Sequence, residues 1–230
     1  MLHTTKFKKT IKDLKDYDFN VLKLVNNKKI SKDRKITQVQ QGIFKNFTCF
    51  TLTLVERETC PSYCYHYKTC YGNHMFRSPR MSALDENLLI SRLDKEIKIL
   101  CSQYKGVLIR LHILGDFFSQ KYILAWFNWL KKYSNLAIFG FTALLKSSQL
   151  GSLLNDIRKN FDKRFSIRFS NQTNVRFSAN SINLEKPIKQ KSLICPQQLN
   201  KNVDCLNCCL CWDQPKRKII FLDNKKIIGD

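Results

Sequence analysis

Ten cysteines stand in this chain of 230 residues, and seven of them fall into two groups: Cys60, Cys64 and Cys70 near the middle, and Cys195, Cys205, Cys208 and Cys211 near the C-terminus. Thiols at such spacing either cross-link or share a metal, and either choice dictates the loops around them. The first nineteen residues are basic and lack an apolar stretch, so they do not read as a secretory signal. Disulfides belong to oxidising compartments. The cysteines therefore read as metal ligands in an intracellular chain, in the cytoplasm or the interior of an organelle. No stretch approaches the roughly 20 apolar residues of a membrane span, so no membrane partner is expected.

The two groups differ in kind. Cys205, Cys208 and Cys211 recur at every third position, so one tight loop can turn three sulfurs inward, with Cys195 as the fourth. Four thiolates suit a structural zinc or an iron–sulfur cluster. Cys209 is expected to point away, because adjacent side chains diverge. The central group has three cysteines and no evident fourth, although His66 and His74 stand nearby. A structural metal site is closed, whereas a reactive one keeps a position open. Cys49 and Cys101 stand in apolar surroundings and read as buried small hydrophobes.

The rest of the pattern places these groups on a scaffold. The run from Phe50 to Val55 alternates and is β-branched, predicting a strand that ends at the central cysteines. Leu84, Leu88, Leu89, Leu93, Ile97 and Leu100 recur at helical spacing after a helix start at 82–86. Val107–Leu114 reads as a strand closed by Gly115-Asp116, residues 119–133 as a helix, Ala137–Phe141 as a strand, 149–160 as a helix, and Arg164–Ser170 as a strand. A last short strand is expected at Lys218–Leu222. Trp126 and Trp129 belong to the core face of their helix. Strands separated by helices imply right-handed crossovers and a parallel sheet. The expected fold is α/β, a partial (β/α) barrel or an open parallel sheet, with a C-terminal cysteine-rich metal-binding loop. Residues 1–35 read as a basic arm with a sparse helical pattern, 36–192 as the α/β core, and 193–230 as the cysteine-rich segment.

In such folds functional groups collect at the C-terminal ends of the strands. That rule brings the Cys60–Cys70 loop, Gly115, Asp116, Thr142 and Ser170 to one place, with Gly115, Thr142 and Ser170 as cofactor contacts. Strand alternation puts Arg110, His112 and Leu114 on one face. Arg110, His112 and Asp116 are thus candidates for holding an anion or moving a proton, against the plainer readings of His112 as a core histidine and Asp116 as a helix N-cap. Arg168 and Arg176 flank the fourth strand's end and suit phosphate. The formal charge of +22, from 40 basic and 18 acidic side chains, points to DNA or RNA as partner. The heavy use of Lys, Asn and Ile is also what an AT-rich coding bias produces. The sequence leaves the oligomeric state open.

Several ordered motifs resemble the gene product 88-like proteins of bacteria and phages: Thr51-Leu-Thr-Leu-Val-Glu-Arg-Glu-Thr-Cys-Pro, Cys70-Tyr-Gly-Asn-His-Met, Arg110-Leu-His-Ile-Leu-Gly-Asp-Phe-Phe-Ser, Phe139-Gly-Phe-Thr-Ala, Ser166-Ile-Arg-Phe-Ser, and Cys195-Pro with Cys-x-x-Cys-x-x-Cys-Trp. The resemblance spans about residues 45–222 and implies a shared fold and cysteine pattern, without bringing a reaction. More distantly, three cysteines in the loop after the first barrel strand resemble radical S-adenosylmethionine enzymes. There the usual spacing is C-x3-C-x2-C, against C-x3-C-x5-C here. That resemblance implies a four-iron cluster whose open iron chelates S-adenosylmethionine, with Gly115 near its amino group. Two other readings stay beside the enzyme: a zinc- or cluster-braced domain that grips nucleic acid without catalysis, and a mobile-element protein that keeps only the scaffold.

Overall fold

The computed structural model describes residues 25–26, 38–75, 80–161, 163–172, 178–182, 193–200, 202–213 and 218–222. It begins with β1 (Val25–Asn26) and β2 (Thr48–Thr51), then a 3-10 turn at Tyr71–His74. Next come α1 (Glu86–Gln103), β3 (Val107–Leu111), α2 (Gln120–Lys132), β4 (Leu136–Thr142), α3 (Gln149–Asn160) and β5 (Phe165–Ser170). The chain closes with β6 (Ser178–Ile182), β7 (Leu193–Ile194), α4 (Pro196–Leu199), α5 (Cys205–Cys208), α6 (Leu210–Asp213) and β8 (Ile219–Leu222).

The strands form one sheet in the order β1-β2-β3-β4-β5-β6-β8-β7. Every pair is parallel except β1 with β2. The order runs from edge to edge without returning, so of the two expected forms the described residues display the open sheet. The helix starts follow from short polar caps: Asp85, Ser119 and Ser148 each accept a backbone N–H from the first turn. The first helix therefore begins at Glu86, at the end of the 82–86 start that the sequence suggests.

Because β2 to β5 lie in sequence order, right-handed crossovers put α1, α2 and α3 on one face of the sheet. Phe50, Ile109, Ile138 and Ile167 pack there against Leu93, Ile97, Trp126, Trp129 and Leu154. Strand neighbours one residue away point to the opposite face. There Cys49, Leu108, Ala137 and Phe139 meet Val39 and Phe44 from the entry loop and Leu206, Cys209 and Trp212 from the C-terminus. The cysteine-rich segment therefore forms the second layer of the molecule. Trp212 is 1% exposed, and its ring centroid lies 4.4 Å from that of Phe139. The entry loop fixes this layer: Gln40 N–H donates to Leu206 O at 3.0 Å, and Ile43 N–H to Asp213 Oδ1 at 3.1 Å.

β1 adds part of the basic N-terminal stretch to the sheet edge, and β6 falls in a stretch that reads as polar loop. The helical pattern from Phe7 to Leu22 lies outside the described residues. Among the described residues no helix is long and apolar enough to cross a membrane.

Candidate functional site

β2 is short because its partner changes course. Leu52 and Leu54 still bond across, Leu52 N–H to Arg110 O at 2.9 Å and Leu54 N–H to Leu114 O at 3.0 Å. On the other side, His112 takes φ 54° and Gly115 φ 88°. The left-handed turn at His112 breaks the alternation that put Arg110, His112 and Leu114 on one face. His112 enters the helix-side core instead, its Nε2 3.0 Å from the Tyr122 hydroxyl and its ring edge-on to Phe117 at 4.5 Å. Burial pulls its pKa down to about 3, so the ring is neutral near pH 7. Arg110 lies on the other face, close enough to Cys205 and Cys211 for its charge to favour their thiolates.

Asp116 ties three loops together. Its backbone N–H donates to Thr59 Oγ1 at 3.0 Å, just before Cys60. Its Oδ1 accepts from Phe117 N–H and the Thr142 hydroxyl, each at 2.7 Å, and Oδ2 accepts from Ala143 N–H at 2.7 Å. Ser119, not Asp116, caps the following helix. Burial pushes the Asp116 carboxyl up to about 7, against the opposing pull of those three donors. Asp116 and Thr142 are 3% and 1% exposed, so both position the loops from beneath. Ser170 ends β5 half-buried, paired in register with Ala179. The link between the β4 and β5 ends runs through Gln172, which donates to Leu144 O at 2.8 Å and accepts from Lys146 N–H at 3.0 Å.

The Cys60–Cys70 loop is held by arginines. Arg80, with a fully buried side chain, donates to Glu56 Oε2 at 2.7 Å, Met75 O at 2.8 Å and Gly72 O at 3.1 Å. Arg57 donates to Tyr67 O at 3.2 Å and Asn73 Oδ1 at 2.6 Å. Burial pushes the Cys60 thiol up to about 12, and Asp116, Cys64 and Cys70 add to the rise. Burial raises Cys64 and Cys70 as well, while Arg57 favours their thiolates. The three thiols and Asp116 thus share one neighbourhood. The His66 ring packs edge-on against Tyr65, with centroids 4.8 Å apart. The side chain of His74 lies outside the described residues.

The second group gathers under the sheet. Burial raises Cys205, Cys208 and Cys211, with Cys211 at about 12, and the proximity of Cys195 adds to the rise of each. Arg168, 1% exposed, donates to Cys211 O at 3.1 Å and Leu210 O at 3.0 Å. It sits inside the molecule rather than on a phosphate-binding surface, and Arg176 lies outside the described residues. Cys209 takes φ 59° and turns its sulfur away, 3.3 Å from Gln41 O and 3.2 Å from Leu206 O. Cys49 is buried in the same layer, and Cys101 is half-buried beside the helix-side core.

A family model described as gene product 88 matches residues 20–214, the greater part of the chain. The chain belongs to that family. No curated protein and no solved structure matches it. In this gene product 88 member both thiol groups are chemically suited to soft metals, each having three or four sulfurs and cationic neighbours. Among the described residues, however, no three Cys, His, Asp or Glu side chains stand together in a metal-holding arrangement. Sequence reasoning missed Glu56, Arg57 and Arg80, which shape the central loop. Their only trace is the charged Glu56-Arg57-Glu58 step before the first cysteine, a place without periodicity to read.

Proposed function

We propose that this gene product 88 member is a metal-binding protein of the radical S-adenosylmethionine type that acts on a nucleic acid or nucleotide. In this reading Cys60, Cys64 and Cys70 hold an iron–sulfur cluster with an open iron, and Cys195, Cys205, Cys208 and Cys211 hold an auxiliary cluster or a zinc ion. The supporting observation is the shared neighbourhood of the three thiols and Asp116 at the C-terminal ends of β2 and β3, where parallel sheets collect their chemistry. Such a cluster, when bound by these three cysteines, would supply a one-electron reductant for S-adenosylmethionine. Gly115 leaves room beside the cysteine loop, Asp116 and Thr142 fix its entry, Ser170 borders the neighbouring strand end, and neutral His112 positions its turn from below. Arg110 acts in the second group, where with Arg168 it offsets thiolate charge. The thiols' raised pKa values mean that metal entry displaces protons, so loading rises with pH.

The test is anaerobic purification followed by addition of S-adenosylmethionine and a reductant. Formation of 5′-deoxyadenosine that disappears in Cys60→Ser, Cys64→Ser and Cys70→Ser supports the reading; zinc alone with no cleavage refutes it. One observation favours a second reading, a metal-braced nucleic-acid-binding domain without catalysis. The C-terminal segment is packed as a structural layer of the sheet, and a metal there would brace that layer. Full nucleic-acid binding with no cleavage of S-adenosylmethionine is the outcome that selects it.

A further inference from the structure

The central loop carries more aromatic surface than its packing uses. Tyr63 is 54% exposed and Tyr65 58%, in a loop whose other faces are knitted down by Arg57 and Arg80. Tyrosine is a large contributor to cores, so two left mostly in water within three residues are a feature to explain. Together with Tyr67 and Lys68 they line a surface pocket of about 350 Å³. The Arg57 guanidinium lies 5.8 Å from the Tyr67 ring centroid. From Cys60 to Gly72 the chain contains no acidic residue.

We propose that this pocket is a base-stacking site for single-stranded nucleic acid, with Tyr63 and Tyr65 as the stacking faces and Lys68 beside them for the phosphate. The volume suits one nucleotide unit, at the small end of ligand pockets. Aromatic side chains with an adjacent cation are the standard means of holding unpaired bases, since every base offers a π-face. The charge of +22 supplies the long-range attraction. Cys64 lines the same pocket, so a stacked nucleotide lies next to the thiols. This inference rests on the nucleic-acid part of the proposed function and is independent of the metal.

The experiment is fluorescence anisotropy of the full-length protein with labelled twelve-residue single strands of DNA and of RNA, and with a blunt duplex of the same length, at two salt concentrations. Stacking predicts that both single strands bind more tightly than the duplex. Tyr63→Ala and Tyr65→Ala should each weaken single-strand binding about five- to hundredfold, from the known range for base–aromatic stacking. Tyr63→Phe and Tyr65→Phe, which keep the ring, should bind as wild type. Both positions are exposed, so the alanine variants should keep the wild-type circular dichroism spectrum. If the wild type binds single strands and the alanine variants bind equally well, the pocket is not the site, while the wider nucleic-acid reading stands. If the wild type binds neither strand nor duplex, both fail.

Discussion

Single residues at the strand ends decide whether the cysteine loop can exist. A Cβ on Gly115 would stand 2.7 Å from both Leu54 Cβ and Thr59 Oγ1, and φ is 88°. Backbone strain and overpacking then act together, so Gly115→Ala should cost on the order of 2–4 kcal/mol, read as a lower urea midpoint. His112 gives a pH signature. Its folded pKa, about 3, lies below its ordinary value of 6.5 because of burial. The neutral ring therefore contributes stability that is present above pH 6.5 and lost as pH falls toward 3. His112→Phe should flatten stability between those limits and lower the neutral-pH value by roughly 1–3 kcal/mol, because the buried Tyr122 hydroxyl loses its bond to His112. Unfolding curves at several pH values check both. Gly115 was legible as a break in the pattern, but the strand stops earlier, at Leu111 and not at Leu114. The left-handed turn at His112 was not, since histidine carries no sequence mark of that conformation, and alternation ran through it unbroken.

At the scale of elements, β6 and β7 escaped the pattern, but α1 to α3 and the strands β3, β4 and β5 were legible because their apolar spacing is regular and short polar residues cap each of those helix starts. The elements that hold the candidate site were not, because a loop braced by arginine has no period. Arg80 shows the cost of missing it. Removing one partner of a buried ion pair leaves an uncompensated charge, so Arg80→Ala should cost about 3–5 kcal/mol. It should also raise proteolysis between Glu56 and Arg80, which limited digestion reads directly. The C-terminal segment reads in the sequence as a metal loop, and its packing as a layer of the sheet was illegible, since cysteines placed every third residue resemble ligands whether or not a tryptophan follows. Trp212 is buried against Phe139. Trp212→Ala should therefore cost about 3–5 kcal/mol and loosen α5 and α6 from the sheet, seen as faster amide exchange over 205–213.

Across the whole molecule, one largely parallel sheet carries two groups of cysteines in different settings. Cys60, Cys64 and Cys70 belong to an arginine-braced, tyrosine-bearing loop past the end of β2, Cys205 and Cys211 pack in the layer that covers the sheet's second face, and Cys195 follows β7, its N–H bonded to Ile220 O. The two groups share no residue, so the proposed function requires that any metal of one be lost without that of the other. The most direct measurement is the iron, sulfide and zinc content of anaerobically purified full-length protein, beside variants with serine at 60, 64 and 70 or at 195, 205, 208 and 211. The account predicts metal in the wild type, with about four irons and four sulfides lost from the first variant while the second site's metal remains. Metal-free wild type, or a first variant with unchanged iron, would contradict it.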